Sequence, residues 1–265
     1  GDGSKDQHGR LQQGGRWLES SQWPLPGSQS LSLYLNDQRQ LSTDQPSAKA
    51  SSLSYRADPD HPVPTIGGSL TSGAPVFVGG AFDQRERADF FGTQGNDEPL
   101  AERDDVLSFQ TLPLTEDMIV AGPLSIELWV ESDGLDTDFT AKLVDVYPDG
   151  YAMNITDGIV RCRYRDSWEK PQLLIPGQRV KVVIEPFATC NLFKRGHRVR
   201  LDIASSNFPH FDVNPNSGEA EGQALHKRIA TNTVHMCADF ASRLVLTTLP
   251  PEALAGLGRQ ATDSD

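Results

Sequence analysis

Residues 196–218, GHRVRLDIASSNFPHFDVNPNSG, bring together His197, Ser205, Ser206, His210 and Asp212. These are the side-chain types of acyl-transfer chemistry: a hydroxyl nucleophile, an imidazole base and an orienting carboxylate. In PHFD, His210 and Asp212 stand two apart, so an extended segment points both the same way. Closeness along the chain is nevertheless poor evidence for a triad, which is an arrangement in space. A nucleophile elbow needs small residues on both sides of its serine, because the strand-to-helix turn is tight, and G-x-S-x-G is absent. GGSLTSG comes nearest, but its spacing fails and no helical pattern follows. The stretch therefore reads as a strand ending at Ser205, Ser206 and Asn207. Asn207, Asp212 and Asn214 then organise turns through bonds to backbone.

Other chemistries find less support. No Walker loop, HExxH or dinucleotide fingerprint is present. DGSKDQ lacks the glycine and the glutamate that complete a calcium loop. Cys162, Cys190 and Cys237 are three and unpaired by any CxxC, which predicts buried reduced thiols, no zinc and no disulfide framework. No metal or cofactor is expected, and reduced thiols favour the cytoplasm. A net charge of −12 disfavours nucleic acid and anionic membranes as partners. No apolar run approaches the roughly 20 residues that span a bilayer, so a soluble protein is expected.

Asp138, Lys142, Asp145, Arg161, Arg163 and Arg165 raise a separate question. In IVRCRYR the arginines alternate with Val160, Cys162 and Tyr164, which predicts one strand face carrying three guanidinium groups. Such a face is either solvated and paired with neighbouring carboxylates, or an inter-domain docking surface made of Arg161, Arg163 and Arg165.

The elements that position these residues are strands. LSLYL, SIELWV, RVKVVIE, RVRLDIA and SRLVLTTL alternate apolar and polar residues with period two. Turns are predicted at Asp149-Gly150, Asp157-Gly158 and Pro176-Gly177. Residues 138–165 read as strand, hairpin and second long strand. Helical periodicity is confined to a short stretch near 220–230, AEGQALHKRIA. Many strands without intervening helices predict an all-β, antiparallel sandwich or jelly roll. Residues 40–53 are Ser-rich and predicted to form a mobile loop. Residues 83–105 form a long charged connection, of a length that tends to be functional or to rest on another domain. Trp17, Trp23, Trp129 and Trp168 could in principle build a sugar platform, which keeps an independent carbohydrate- or ligand-binding module as the competing reading.

Several long motifs occur in a fixed order: YRADPDHPVPTIGG (55–68), DQR (83–85), RDDVLSFQT (103–111) and DTDFTAKLVDVYPDGYA (136–152). DGIVRCRYR (157–165) and the 196–218 stretch follow. Together they resemble the C-terminal domain of the CocE/NonD hydrolases, the family of cocaine esterase and the X-Pro dipeptidyl-peptidases. The resemblance implies a galactose-binding-domain-like jelly-roll β-sandwich over residues 17–252. It also implies a junction from a catalytic domain at 1–16 and a flexible tail at 253–265. Family members cleave esters, acyl bonds or X-Pro peptides with a Ser-Asp-His triad located in an α/β-hydrolase domain, the expected partner of this chain, and self-association is a further expectation. No catalytic residue transfers to this sequence, and the chain alone is expected to be inactive. The stretch after the family's double glycine helps line the acyl pocket, which here corresponds to Ser69, Leu70, Thr71 and Ser72 after Gly67-Gly68.

Overall fold

The computed structural model describes residues 4–15, 18–70, 72–73, 76–256 and 258–259. Trp17, Thr71 and tail residues 260–265 lie outside the described residues.

Period-two alternation becomes two stacked antiparallel sheets, as a chain with one apolar face per strand requires. The larger sheet has ten strands. They are β2 (Gln29–Leu35), β3 (Leu41–Ser42), β4 (Ser52–Ala57), β6 (Met118–Gly122) and β7 (Ser125–Ser132). The others are β10 (Val180–Ile184), β11 (Thr189–Phe193), β13 (Ala230–Cys237), β14 (Phe240–Ala241) and β15 (Arg243–Leu249). The smaller sheet runs β5 (Leu107–Gln110), β12 (Arg198–Ala204), β8 (Asp138–Val146) and β9 (Ala152–Arg161), in that spatial order. Beyond Pro250 the chain makes a 3-10 turn, and β16 (Gly258–Arg259) pairs with β1 (Leu18–Glu19). The all-β expectation is borne out as a β-sandwich.

The main core lies between the sheets. Ile126, Leu128 and Val130 of β7 and Val182 and Ile184 of β10 meet Phe139, Ala141 and Leu143 of β8 and Val199, Leu201 and Ile203 of β12. Full burial of each large side chain contributes about 1.5–3 kcal/mol. Trp129 faces the other way and meets Phe240 edge-on at 5.2 Å.

The outer face of the smaller sheet is covered too. Residues 58–106 fold back over it, and Val63, Ile66, Phe77, Phe82, Phe90, Leu100 and Val106 form a second core against Ala204. The charged 83–105 connection is thus pinned to its own sheet, with Gln84 and Glu86 at 0% and 2% exposure.

Four local expectations are corrected. Asp157-Gly158 is not a turn but the interior of β9, opposite Lys142 and Ala141. Glycine is needed there because a Cβ would sit 3.0 Å from the Ile184 side chain and 3.2 Å from the Pro186 backbone. The strand predicted through Arg165 ends at Arg161, and Cys162–Tyr164 form a 3-10 turn. Residues 220–229 form turns and loop where a helix was expected, and Ala230 opens β13; Leu225, at 86% exposure, finds no apolar surface on which a helix could pack. Cys190 is exposed, whereas Cys162 and Cys237 are buried. Among the described residues no helix is long and apolar enough to cross a membrane.

Candidate functional site

Strand register places the chemistry. On the outer face of the smaller sheet, Lys142 of β8 stands opposite Asp202 of β12 on one side and Asp157 of β9 on the other. The result is an acid–base–acid row across three strands. A bulge at Leu143/Val144, with Ile155 as the additional residue on β9, sets which β9 side chains face outward. Lys142 Nζ donates to Gln84 Oε1 at 2.8 Å, and Gln84 Nε2 donates to the carbonyls of Ile66 and Phe82, each at 3.1 Å. Burial holds the Lys142 ammonium below its ordinary pKa, although Asp157 and Asp202 pull it upward. One buried lysine therefore ties the 58–106 excursion to the sheet.

The excursion carries the expected pocket-wall residues. Gly67 sits at φ +66, where an added Cβ would come within 2.5 Å of the Gly80 carbonyl oxygen and the Phe82 ring. Gly68 and Gly80 exchange two backbone hydrogen bonds of 2.8 Å, closing a loop over 68–80. In that loop Ser69 and Ser72 are exposed, while Leu70 rests against the second core. Thr71 is outside the described residues. A cleft of about 360 Å³ opens beside the loop, lined by Gly68, Ser69, Lys142, Asn154, Asp157 and Phe187 among others.

His210 meets this loop rather than Asp212. Its Nε2 is 3.4 Å from Ser69 Oγ, and its Nδ1 is 3.4 Å from Asp157 Oδ1. Ser69, His210 and Asp157 thus form a serine–histidine–aspartate line assembled from three distant segments. Its geometry holds a loop and does not activate a nucleophile. Both legs exceed the 2.7–2.9 Å of charge-assisted hydrogen bonds, and Nδ1 makes no well-formed bond to orient the ring. Burial pushes the Asp157 carboxyl up, but His210, Lys142 and the 2.8 Å bond from Asn207 outweigh it and hold the pKa below its ordinary value.

The rest of the 196–218 stretch is architecture. Ser205 Oγ lies 2.7 Å from Tyr55 Oη and from Asn232 Nδ2, and Ser206 Oγ accepts from Val63 N–H. Asn214 Oδ1 accepts from Asn216 N–H, as expected of a turn residue. Asn207 and Asp212, expected to bond backbone, bind the side chains of Asp157 and Arg161 instead. His197 is buried, with Nδ1 2.8 Å from Asp145 and its ring against Tyr147.

The three arginines do not share a strand face, because the chain turns after Arg161. Arg161 binds Asp138 through two bonds of 2.9 Å and also reaches Asp212 and Glu221. Arg163 is 8% exposed and gives its backbone N–H and Nε to Asp136. Arg165 donates to the carbonyls of Cys162 and Gln172. All three guanidinium groups are engaged within the chain. Asp157 and Gln84 were not singled out from sequence as site residues. The available signal was Lys142, a cation inside the apolar strand DFTAKLVDV, which demands buried partners.

Residues 5–245 match the family described as the X-Pro dipeptidyl-peptidase C-terminal non-catalytic domain. The chain belongs to that family. This PepX-type C-terminal domain is 38% identical over 243 residues to cocaine esterase of Rhodococcus sp. (strain MB1 Bresler), covering 87% of the chain and 39% of the esterase. Among solved structures, an aminopeptidase from a marine sediment Thaumarchaeota archaeon superposes with a TM-score of 0.70 at 26% identity, over 86% of this chain and 38% of that one. An α-amino acid ester hydrolase gives a TM-score of 0.70 at 28% identity, over 83% and 36%. The domain therefore spans under two-fifths of these relatives' length, and the resemblance carried by the ordered motifs is borne out.

Proposed function

We propose that this domain serves as the accessory part of a longer serine hydrolase, bracing an α/β-hydrolase domain and walling its acyl pocket with residues 69–72. The chemistry, ester, acyl or X-Pro peptide hydrolysis through an acyl-enzyme, belongs to the partner domain. The observation that carries this reading is the match to a non-catalytic domain family together with the relatives' names: an esterase, an ester hydrolase and an aminopeptidase, each extending well beyond the matched region. The paired backbone bonds between Gly68 and Gly80 support it, since they fix the base of the segment that would form the wall. Exposed Val76, Phe187 and Phe91, at 70%, 79% and 60%, give the same side an apolar surface suited to a covering domain. In this reading Arg161, Arg163 and Arg165 act as internal anchors, and docking falls to the apolar side.

The test is direct. The 265-residue chain, assayed alone with nitrophenyl esters and Gly-Pro-nitroanilide, is expected to show no turnover. Turnover abolished by a serine-directed inhibitor would sink the proposal. Joined to its catalytic domain, Leu70→Ala is expected to shift acyl-chain preference with little change in fold. Unchanged preference would remove the wall role.

A further inference from the structure

The chain is strongly acidic, with 24 Lys and Arg against 36 Asp and Glu, and eleven of the fifteen arginines whose side chains are described have a carboxylate partner. Among the described side chains, Arg39, Arg56, Arg195 and Arg198 alone of the arginines make no ion pair. Two of these four, Arg39 and Arg198, line one cleft of about 520 Å³ at the β5 edge of the smaller sheet. Arg200 lines it as well, and the cleft's sole carboxylate is Glu102. Two unpaired guanidinium groups, beside a third already bound to Asp202, therefore line one cleft with a single acid in a protein whose net charge is −12. That concentration is the reverse of what the composition would scatter onto a surface.

The arginines are held ready. Arg198 Nη1 donates to the Thr111 carbonyl at 3.0 Å, leaving the rest of its fork unpaired. Arg200 is 7% exposed and bonds Asp202 through Nη2 at 2.9 Å, while its Nε is buried with no hydrogen-bond partner. Asp202 Oδ1 is buried without a partner as well, so Arg200 is held by its own carboxylate and forms the charged floor of the cleft rather than a free ligand group. Arg39 sits at φ +58, in the left-handed region that disfavours a residue with a side chain. That conformation is enforced from both sides. Asn36 Oδ1 accepts from the N–H groups of Gln38 and Gln40 at 3.0 Å, and the Arg39 carbonyl accepts from Gln110 N–H at 3.1 Å. The turn fixes where the unpaired guanidinium emerges.

Between the charges lie neutral hydrogen-bonding groups: Gln38, Gln40, Ser108 and Gln110. Guanidinium forks recognise carboxylate or phosphate oxygens bidentately, and side-chain amides both donate to and accept from hydroxyls. The volume lies in the range of small-molecule sites. We propose that this cleft binds a small hydroxylated anion, a carboxylate or phosphate monoester bearing several hydroxyls, with Arg39 and Arg198 on the anionic group and the glutamines on the hydroxyls. The proposal is independent of the accessory-domain reading, because its cleft lies at the β5 edge and the 68–80 loop lies against β9.

Isothermal titration and amide chemical-shift mapping of the whole chain test it, with D-glucuronate, D-glucose 6-phosphate, D-glucose and sodium sulfate as probes. The expected result is binding of glucuronate or glucose 6-phosphate with shifts at Ser108, Gln110 and Arg198. Glucose should bind at least tenfold more weakly, as should sulfate. Arg39→Gln, in an exposed turn that does not contribute to the core, and Arg198→Gln are each expected to weaken binding at least tenfold, with Arg56→Gln unchanged. The two anionic probes distinguish a carboxylate from a phosphate ligand. No shifts at these residues up to 10 mM probe would overturn the proposal. So would equal binding of glucose, equal binding of sulfate, or affinity that survives Arg39→Gln in a chain with an unchanged melting curve.

Discussion

Asp136→Asn isolates the charge that holds the exit of β9. Asp136 is 0% exposed and accepts from Arg163 N–H at 2.9 Å, Arg163 Nε at 2.7 Å and Asn214 Nδ2 at 3.0 Å. The amide keeps the volume but removes the charge, and it sets an NH₂ group against donors. Arg163, itself 8% exposed, is left with one acceptor, the Glu219 carbonyl at 2.8 Å. Stranding one partner of a buried pair costs about 3–5 kcal/mol, and the surviving Glu219 bond puts this case at the lower end, about 3 kcal/mol. That is a large share of a stability of about 5–15 kcal/mol. At roughly 2–4 °C per kcal/mol, the midpoint should fall by about 6–12 °C. Asp212→Asn is the control. Its carboxylate is 79% exposed and its partner Arg161 keeps Asp138, so the loss should stay below about 1 kcal/mol. Urea unfolding followed by circular dichroism and tryptophan fluorescence measures both. If Asp136→Asn loses no more than Asp212→Asn, the arginines are not internal anchors, and docking returns as their use.

Three further outcomes follow from the geometry. Burial pushes Asp138 up to about 6 even though Arg161 and Asn214 favour its charged form, so the folded protein holds this proton more tightly than the unfolded chain, whose value is near 3.8. Its contribution is therefore full below about pH 4 and is lost as pH rises through about 6; Asp138→Asn should flatten that limb of a stability–pH curve. Gly67→Ala should cost at least about 1–3 kcal/mol from its φ of +66 and raise amide exchange over 68–80; unchanged exchange would disconnect Gly67 from the loop. A thiol-reactive dye should label Cys190 alone in the native chain and all three cysteines in urea. Because burial raises the Cys190 pKa, native labelling should quicken toward alkaline pH, and prompt labelling of Cys162 would contradict the packing.

Much of the fold was legible because alternation is a local signal. Each of β7, β10 and β12 announces its buried face within a few residues, and each places that face in the core. Asp149-Gly150 and Pro176-Gly177 form turns as local chemistry dictates. Asp157-Gly158 has the same turn chemistry and yet runs inside a strand, because Ile184 and Pro186 of a crossing segment need the space a side chain would fill. Local propensity gave way to a contact some 27 residues distant in sequence, which no window can register.

The candidate site divides along the same line. Sequence alone settled the all-β class, the family through its ordered motifs, and the structural character of the 196–218 stretch, all of which rest on residue types and local periodicity. Tertiary structure decided that His210 faces Ser69 and Asp157 rather than Asp212, and that Lys142 binds Gln84. It also decided that Arg161 and Arg163 turn inward while Arg39 and Arg198 share an open cleft. Those pairings join segments up to about 160 residues apart. Sheet register and the fold-back of residues 58–106 bring them together, and both are set by burial of the whole apolar surface rather than by any short run of sequence.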